Sequence, residues 1–316
     1  MNAVLNPPPD ELFPQGTPAQ HLLRVPFART VGIVSEAVSA NRLLLRLPFN
    51  AAVADARGAI DLRAITALLD HAGGAVVYMT QLRAAPTATL DLRVAFAEPA
   101  VPGEDAICKV TVEHADTTRA LVNATVRGAQ SGRLLASGSG CFIIGAHPGQ
   151  APGQVIADPW RLKSAPGAIL EPGVQFASFD EFLGVPAAES LGAAPVEIPF
   201  RPHLVGAVSL PALHGGVTAA ALMMAAQQAM AQMSVVNAAP AHTTTHATTG
   251  SEAGSPRLAS IAIQYLRVGQ AKTLSAIAQV SKPGRRTSFV NASATQDGGA
   301  RVVATAQCVF ISGDGA

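Results

Sequence analysis

The sequence is poor in cysteine, in charge and in aromatic side chains, and each shortage removes a class of function. Three cysteines stand in 316 residues, Cys108, Cys141 and Cys308, with no CxxC pair among them. They cannot build a disulfide framework or a cysteine-rich zinc site, and they point to a reducing compartment, with the cytoplasm as the expected location. Charged residues make up 14% of the chain and the formal net charge is +1. No basic stripe is available to neutralise a phosphate backbone, so nucleic acid is not an expected partner. Aromatic residues, at 4%, are too dispersed to define a binding pocket by themselves. The first thirteen residues carry two acids and three consecutive prolines instead of a basic stretch followed by an apolar one, so they read as a lead-in and not as a signal peptide. Gln227, Gln228 and Gln232 break the one long apolar run, residues 215–236, which reads as a helix buried in a domain and not as a membrane span.

What the sequence does contain is an internal repeat. Arg29-Thr30-Val31-Gly32-Ile33 answers to Glu181-Phe182-Leu183-Gly184-Val185, with the glycines 152 apart. Leu47-Pro48-Phe49 matches Ile198-Pro199-Phe200 at a shift of 151, and Phe96 matches Tyr265 at 169. Val122-Asn123-Ala124-Thr125 matches Val290-Asn291-Ala292-Ser293, and Phe142 matches Phe310, both at 168. The growth of the shift by about sixteen falls on residues 237–256 of the second half, rich in Ala, Thr, Ser, Gly and His, which reads as an inserted flexible loop. His242 and His246 in that loop have a helical metal spacing, but the flanking Gly and Pro argue against a helix, and no metal site is expected. The organisation is then a lead-in at 1–24, a first unit at 25–145, a Pro- and Gly-rich linker at 146–175 that contains Trp160, and a second unit at 176–316.

Each unit opens with one or two short strands, followed by a helix over 62–79 or 215–233 that is apolar around nearly its whole circumference and therefore buried on most sides. Strands are predicted at 87–96, 105–114, 119–130 and 134–144, and again at 257–268, 273–282, 287–295 and 301–311, with Gly and Pro between them. The expected sheet is antiparallel and built from consecutive hairpins.

Two segments could carry chemistry. At Leu213-His214-Gly215-Gly216-Val217 the chain enters its second helix, and two glycines at a helix start let a ligand approach bare backbone N–H groups, a ready oxyanion or carbonyl site; the same glycines also suit a tight entry turn with His214 capping or packing. In Leu68-Leu69-Asp70-His71-Ala72-Gly73-Gly74 a carboxylate sits in an apolar helix, where desolvation raises its pKa unless a partner compensates. In the repeat register Asp61 corresponds to His214, and Asp70 to Met223, both at a shift of 153. Each unit has kept one half of a site.

The His-Gly-Gly at 214–216, the Leu-Leu-Asp ending at Asp70, the strand Thr89-Leu90-Asp91-Leu92-Arg93, and the closing Gly284-Arg285-Arg286 with Gly299-Ala300-Arg301-Val302-Val303-Ala304 together resemble the tandem, double-hotdog thioesterases of the PaaI-like type. The resemblance covers about residues 25–145 and 176–313. It implies an α+β fold of two fused hotdog domains, each a long buried helix wrapped by an antiparallel sheet, paired as an internal pseudo-dimer. It further implies that His214, Gly215 and Gly216 face Asp70 across the pseudo-twofold, while the opposite pairing of Asp61 with Met223 lacks a base, giving one working site per chain. The implied activity is hydrolysis of an acyl-CoA or related thioester. A helix-start N–H, that of Gly216 foremost, would polarise the carbonyl, and Asp70 would act as general base or as nucleophile.

No cofactor or metal is implied, because coenzyme A enters as part of the substrate. Arg267, Lys282, Arg285 and Arg286 are the candidate counter-charges for its phosphates, with a solvated hairpin as the other reading of 282–286. Ala219, Ala220, Ala221, Met223 and Met224 would line or back the acyl channel. The family often places Asn or Gln six residues before the histidine, where this chain has Val208, and Asp55 in the first unit. Gly74 replaces a hydroxyl residue of some relatives. Two further readings stand beside the enzyme: a non-catalytic acyl-CoA sensor, and a hotdog hydratase, whose Asp and His set five apart before the helix are missing here. No membrane is expected, and further association of the fused pair into a homo-oligomer is.

Overall fold

A computed structural model describes residues 25–80, 87–145, 175–186, 194–206, 212–237 and 256–312. The linker and its Trp160, Val208, and the loop with His242 and His246 lie outside the described residues. The first unit runs α1 (Pro26–Val31), β1 (Val34–Val38), β2 (Arg42–Leu47), α2 (Leu62–Thr80), β3 (Thr87–Phe96), β4 (Ala106–Ala115), β5 (Arg119–Gly128) and β6 (Leu134–Ile144). The second runs α3 (Phe179–Leu183), β7 (Val196–Ile198), α4 (Gly215–Asn237), β8 (Arg257–Tyr265), β9 (Leu274–Lys282), β10 (Thr287–Gln296) and β11 (Arg301–Ile311).

All described strands join one antiparallel sheet in the order β1-β2-β4-β5-β6-β3-β8-β11-β10-β9-β7. The order departs from consecutive hairpins. In each unit the strand that follows the long helix is carried past its neighbours in sequence to the middle of the sheet, where β3 lies between β6 and β8. The reason is the ladder: β3 is ten residues long and would leave an unpaired edge in a single unit, whereas pairing with β8 satisfies it. The two units thereby become one sheet about a pseudo-twofold near the Arg93↔Ala262 pair.

Alternation fixes which face of each strand looks inward. β5 reads exposed and buried at strict period two over most of its length, with Ala120, Val122, Ala124 and Val126 turned to the helices. α2 and α4 pack against each other inside the curl of the sheet. Ala219 to Met223 of α4 are wholly buried, so the alanines and methionines expected at an acyl channel stand in the packed core. Small residues bring the helices close, and a Cβ added at Gly216 would fall 2.4 Å from the Ala67 Cβ and 2.5 Å from its Cα.

Ahead of the expected short strands each unit opens on a short helix that the sequence reading did not include, and each packs on the other unit. Both end at a glycine in the left-handed region, Gly32 at φ 81° and Gly184 at φ 74°, a cap that suits glycine. The Phe27 N–H of α1 donates to the Val205 carbonyl and the Phe179 N–H of α3 to the Ala54 carbonyl, both at 3.1 Å. Phe27 and Phe179, also 152 apart, are fully buried against the partner unit's helix entry.

Candidate active site

The register of the two helices places the site. α2 and α4 begin at Leu62 and Gly215, the shift of 153 read from the sequence, so the residues just before them are Asp61 and His214. Because the helices pack side by side across the pseudo-twofold, the start of each lies beside the second turn or later of the other. The start of α4 therefore meets Asp70, and the start of α2 lies toward the region of Met223.

At the first of these ends a Cβ built on Gly215 would stand 2.6 Å from Asp70 Oδ2 and 2.8 Å from Oδ1. The carboxylate thus looks onto bare backbone at a helix start. Thr89 of β3 donates its hydroxyl to Asp70 Oδ1 at 2.8 Å. Asp70 is 5% exposed, and burial pushes its carboxyl up to about 6, against the opposing pull of the Thr89 hydroxyl and the Gly216 N–H. At neutral pH it is ionised but basic for a carboxylate.

His214 caps α4 with its own side chain. Its Nδ1 accepts the Gly216 N–H at 2.9 Å, and its backbone carbonyl accepts from Val217 at 2.9 Å. The ring stacks on Phe27, centroids 4.2 Å apart, and its Nε2 lies 3.4 Å from Nδ1 of His71. Burial, and then the proximity of His71, hold His214 well below the ordinary imidazole range, while burial takes His71 down to about 4. Both rings are neutral. The 3.5 Å approach of His214 Nδ1 to Asp70 Oδ2 is consequently a lone pair facing a carboxylate and not an ion pair.

The structure brings together Asp70, His214, Gly215 and Gly216, with one change of detail. The Gly216 N–H is spent on His214 Nδ1, with Asp70 near enough to be lowered by it, so it is not the open carbonyl donor expected from the sequence. The Gly215 N–H has no partner among the described residues. Tyr265 completes the wall: its hydroxyl donates to the Gly215 carbonyl at 3.1 Å, and burial, then Asp70, raise it well above the usual phenol range. Sequence reasoning used Tyr265 only as a repeat marker and gave His71 and Thr89 no role. The signal for Tyr265 was its partner in the repeat, Phe96, which lacks the hydroxyl.

The basic residues divide. Arg267 follows β8 directly after Tyr265, at the Asp70 end of the sheet, with one guanidinium N–H on the Val302 carbonyl. Lys282, Arg285 and Arg286 belong to the β9–β10 hairpin, which lies with Arg257 and Ile311 at the other end of the strands. Eight residues of β8, about 26 Å of extended chain, separate Arg257 from Tyr265. These three do not flank Asp70.

The pseudo-equivalent end is closed. Arg63 stands at the repeat position of Gly216 and is clamped by Asp61, Nε to Oδ1 at 2.9 Å and Nη2 to Oδ2 at 2.5 Å, and by Asp180 of α3 at 2.6 Å. Its guanidinium lies over the Phe179 ring at 5.5 Å. Burial opposes the Arg63 charge, but the two acids outweigh it and raise its pKa. Met223 at the Asp70 position, Leu258 at the Thr89 position and Phe96 at the Tyr265 position are all apolar. Asp61 is the counter-ion of Arg63, with both of its oxygens engaged by the guanidinium.

Glycine substitutions should separate chemistry from packing. Gly216→Ala drives a methyl into the backbone of Ala67, and a loss of roughly 1–3 kcal/mol is expected from overpacking, read as a lower melting temperature. Gly215→Ala meets only the mobile end of Asp70, so its stability cost is smaller and its main effect is on turnover.

Two thioesterase family models match the chain, one in each half. Residues 64–134 match the thioesterase superfamily model, and residues 206–311 match the model for the acyl-CoA thioesterase N-terminal domain. Each half of the chain thus matches a thioesterase family model over part of its length. The tesB protein of Mycobacterium avium subsp. paratuberculosis is similar over 94% of this chain and 100% of its own, with a TM-score of 0.53 and 12% identity. An acyl-ACP thioesterase from Bacteroides thetaiotaomicron is similar over 85% and 97%, with a TM-score of 0.51 and 10% identity. At these identities the likeness concerns the fold, a tandem hotdog. No curated protein matches the chain significantly. Among the described residues, no helix is long and apolar enough to cross a membrane.

Proposed function

We propose that the protein hydrolyses acyl-CoA thioesters at one composite site, with Asp70 from the first unit and the α4 start from the second. The observation that carries the reading is the Asp70 carboxylate aimed at the Gly215 backbone, with a charge-locked, apolar counterpart at the other end.

In this reading the thioester carbonyl rests against the start of α4, where the Gly215 N–H and the helix dipole favour the developing oxyanion. Asp70 Oδ2 takes a proton from water as the water oxygen attacks the carbonyl carbon. The tetrahedral intermediate collapses, the C–S bond breaks, and the proton held by Asp70 passes to the departing sulfur. In the alternative route Asp70 attacks the carbonyl itself and water then cleaves the anhydride. A single turnover in ¹⁸O water separates them, because only the anhydride route can leave label in Asp70. Thr89 holds Oδ1 in either case and leaves Oδ2 as the reacting oxygen. Arg267, and not the 282–286 hairpin, is the proposed counter-charge for the coenzyme A phosphates at this end.

The base must be ionised to act. Turnover is expected to be full above the Asp70 pKa and to fall as pH drops through about 6. A pH profile of thiol release with coenzyme A esters checks this, and a flat rate from pH 7 down to 5 would remove Asp70 from the reaction.

A further inference from the structure

The buried group for which the proposed chemistry has no use is His71. It follows Asp70 on α2, is 6% exposed, and its Nδ1 lies 3.4 Å from His214 Nε2. Two neutral imidazoles in contact can share one hydrogen between those nitrogens, and which ring supplies it follows from the other ends. His214 Nδ1 accepts the Gly216 N–H, so it carries no hydrogen of its own. The His214 hydrogen is then on Nε2, and His71 Nδ1 accepts it.

We infer that His71 is a positioning residue whose Nδ1 holds the His214 ring in the Nε2–H tautomer, so that His214 Nδ1 accepts the Gly216 N–H and donates nothing to the Asp70 carboxylate. In the other tautomer Nδ1–H would donate to Asp70 Oδ2, now 3.5 Å away, and the Gly216 N–H, displaced from Nδ1, would turn wholly to Asp70. The carboxylate would gain the Nδ1–H as a donor, with the Gly216 N–H drawn closer, and become a weaker base. The His71 acceptor opposes this, because with the hydrogen off Nε2 their bond survives only if His71 also moves its own hydrogen to Nδ1 and the Gly216 N–H gives up its acceptor.

The remaining surroundings of Asp70 do not compete. Thr89 of β3 donates to the other oxygen. Tyr265 of β8 spends its hydroxyl on the Gly215 carbonyl. No lysine or arginine among the described residues pairs with the carboxylate, and Phe27 of α1 covers the outer face of the His214 ring. The tautomer of His214 is therefore set at its two ring nitrogens, by the Gly216 N–H on Nδ1 and by His71 on Nε2. This role deepens the proposed hydrolysis and rests on Asp70 as its reacting group, but the tautomer itself is observable without any turnover.

The test compares wild type, His71→Leu and His71→Asn. Leucine removes the acceptor while filling the volume, and asparagine returns an acceptor oxygen near the place of Nδ1. With ¹⁵N-labelled histidine, the imidazole shifts of His214, assigned with a His214→Gln control, should show Nε2–H in wild type and His71→Asn, and Nδ1–H in His71→Leu. In thiol-release assays the acid midpoint near pH 6 should move down by about 1 pH unit in His71→Leu, through the gained donor, and return in His71→Asn. An Nδ1–H tautomer in wild type, or an unmoved tautomer in folded His71→Leu, would overturn the inference. If His71→Leu fails to fold, the wild-type and His71→Asn spectra still decide it. Absence of turnover with the predicted tautomers would overturn the hydrolase reading and leave the tautomer assignment standing.

Discussion

At pH 8 the Asp70→Asn protein is expected to be both slower and more stable than wild type. Loss of the base should lower thioester turnover by about a hundredfold to ten-thousandfold. The gain in stability follows from the same burial. Below the ordinary carboxylate pKa of 3.8 the group is neutral in both the folded and the unfolded chain, and it costs nothing. Between there and about 6 the unfolded chain ionises first, so folding becomes less favourable as pH rises, and above about 6 the cost is complete. The full difference is about 3 kcal/mol at about 1.4 kcal/mol per pH unit. Asparagine avoids it and keeps an oxygen for the Thr89 hydroxyl. The melting temperature of Asp70→Asn should therefore exceed that of wild type by several degrees at pH 8. The gap should close toward pH 4. A variant that melts below wild type at pH 8 would mean that the carboxylate is held by stabilising partners and not strained by desolvation.

The second large effect belongs to the closed end. Arg63→Leu leaves Asp61 and Asp180 facing one another without their shared cation, and breaking a buried pair in this way costs roughly 3–5 kcal/mol. Removing the charges together, as Asp61→Asn with Arg63→Leu and Asp180→Asn, should recover most of that loss, because a buried ion network is not in itself more stable than an apolar or neutral substitute. Thermal melts of the single and triple variants check both statements. Turnover per folded molecule should be unchanged in both, since the network lies at the far end from Asp70. A selective loss of rate in folded Arg63→Leu would mean that the two ends are coupled.

Much of this arrangement was legible because a repeat carries its own alignment. The shift of 153 between Asp61 and His214 is the offset between the first residues of α2 and α4, and helix packing turns that offset into a contact between Asp70 and Gly215. The strand positions followed from alternation and from the Gly and Pro between them; β3, β6 and β11 start and stop where the pattern does. The sheet order was less legible, since alternation says which face is buried but not which strand is a neighbour. The opening helices were hidden because Phe27 and Phe179 are buried by the partner unit, a long-range contact that leaves no local period. His71 and Tyr265 show the same limit at the site. Each reads locally as a core residue, and only the contact with His214 or Gly215 gives it a purpose. The basic hairpin at 282–286 misled for a related reason: its composition suits phosphate, but antiparallel pairing puts it with the end where Met223 stands at the Asp70 position.

The single composite site is tested most directly by thiol release from aryl, short-chain and long-chain acyl-CoA esters, with wild type, Asp70→Asn and Met223→Leu measured side by side and a control for thiol reagent reacting at the three cysteines. The account predicts turnover of at least one ester by wild type, its loss in Asp70→Asn and its retention in Met223→Leu. Undiminished turnover in Asp70→Asn, or binding of coenzyme A esters by wild type without any thiol release, would contradict it.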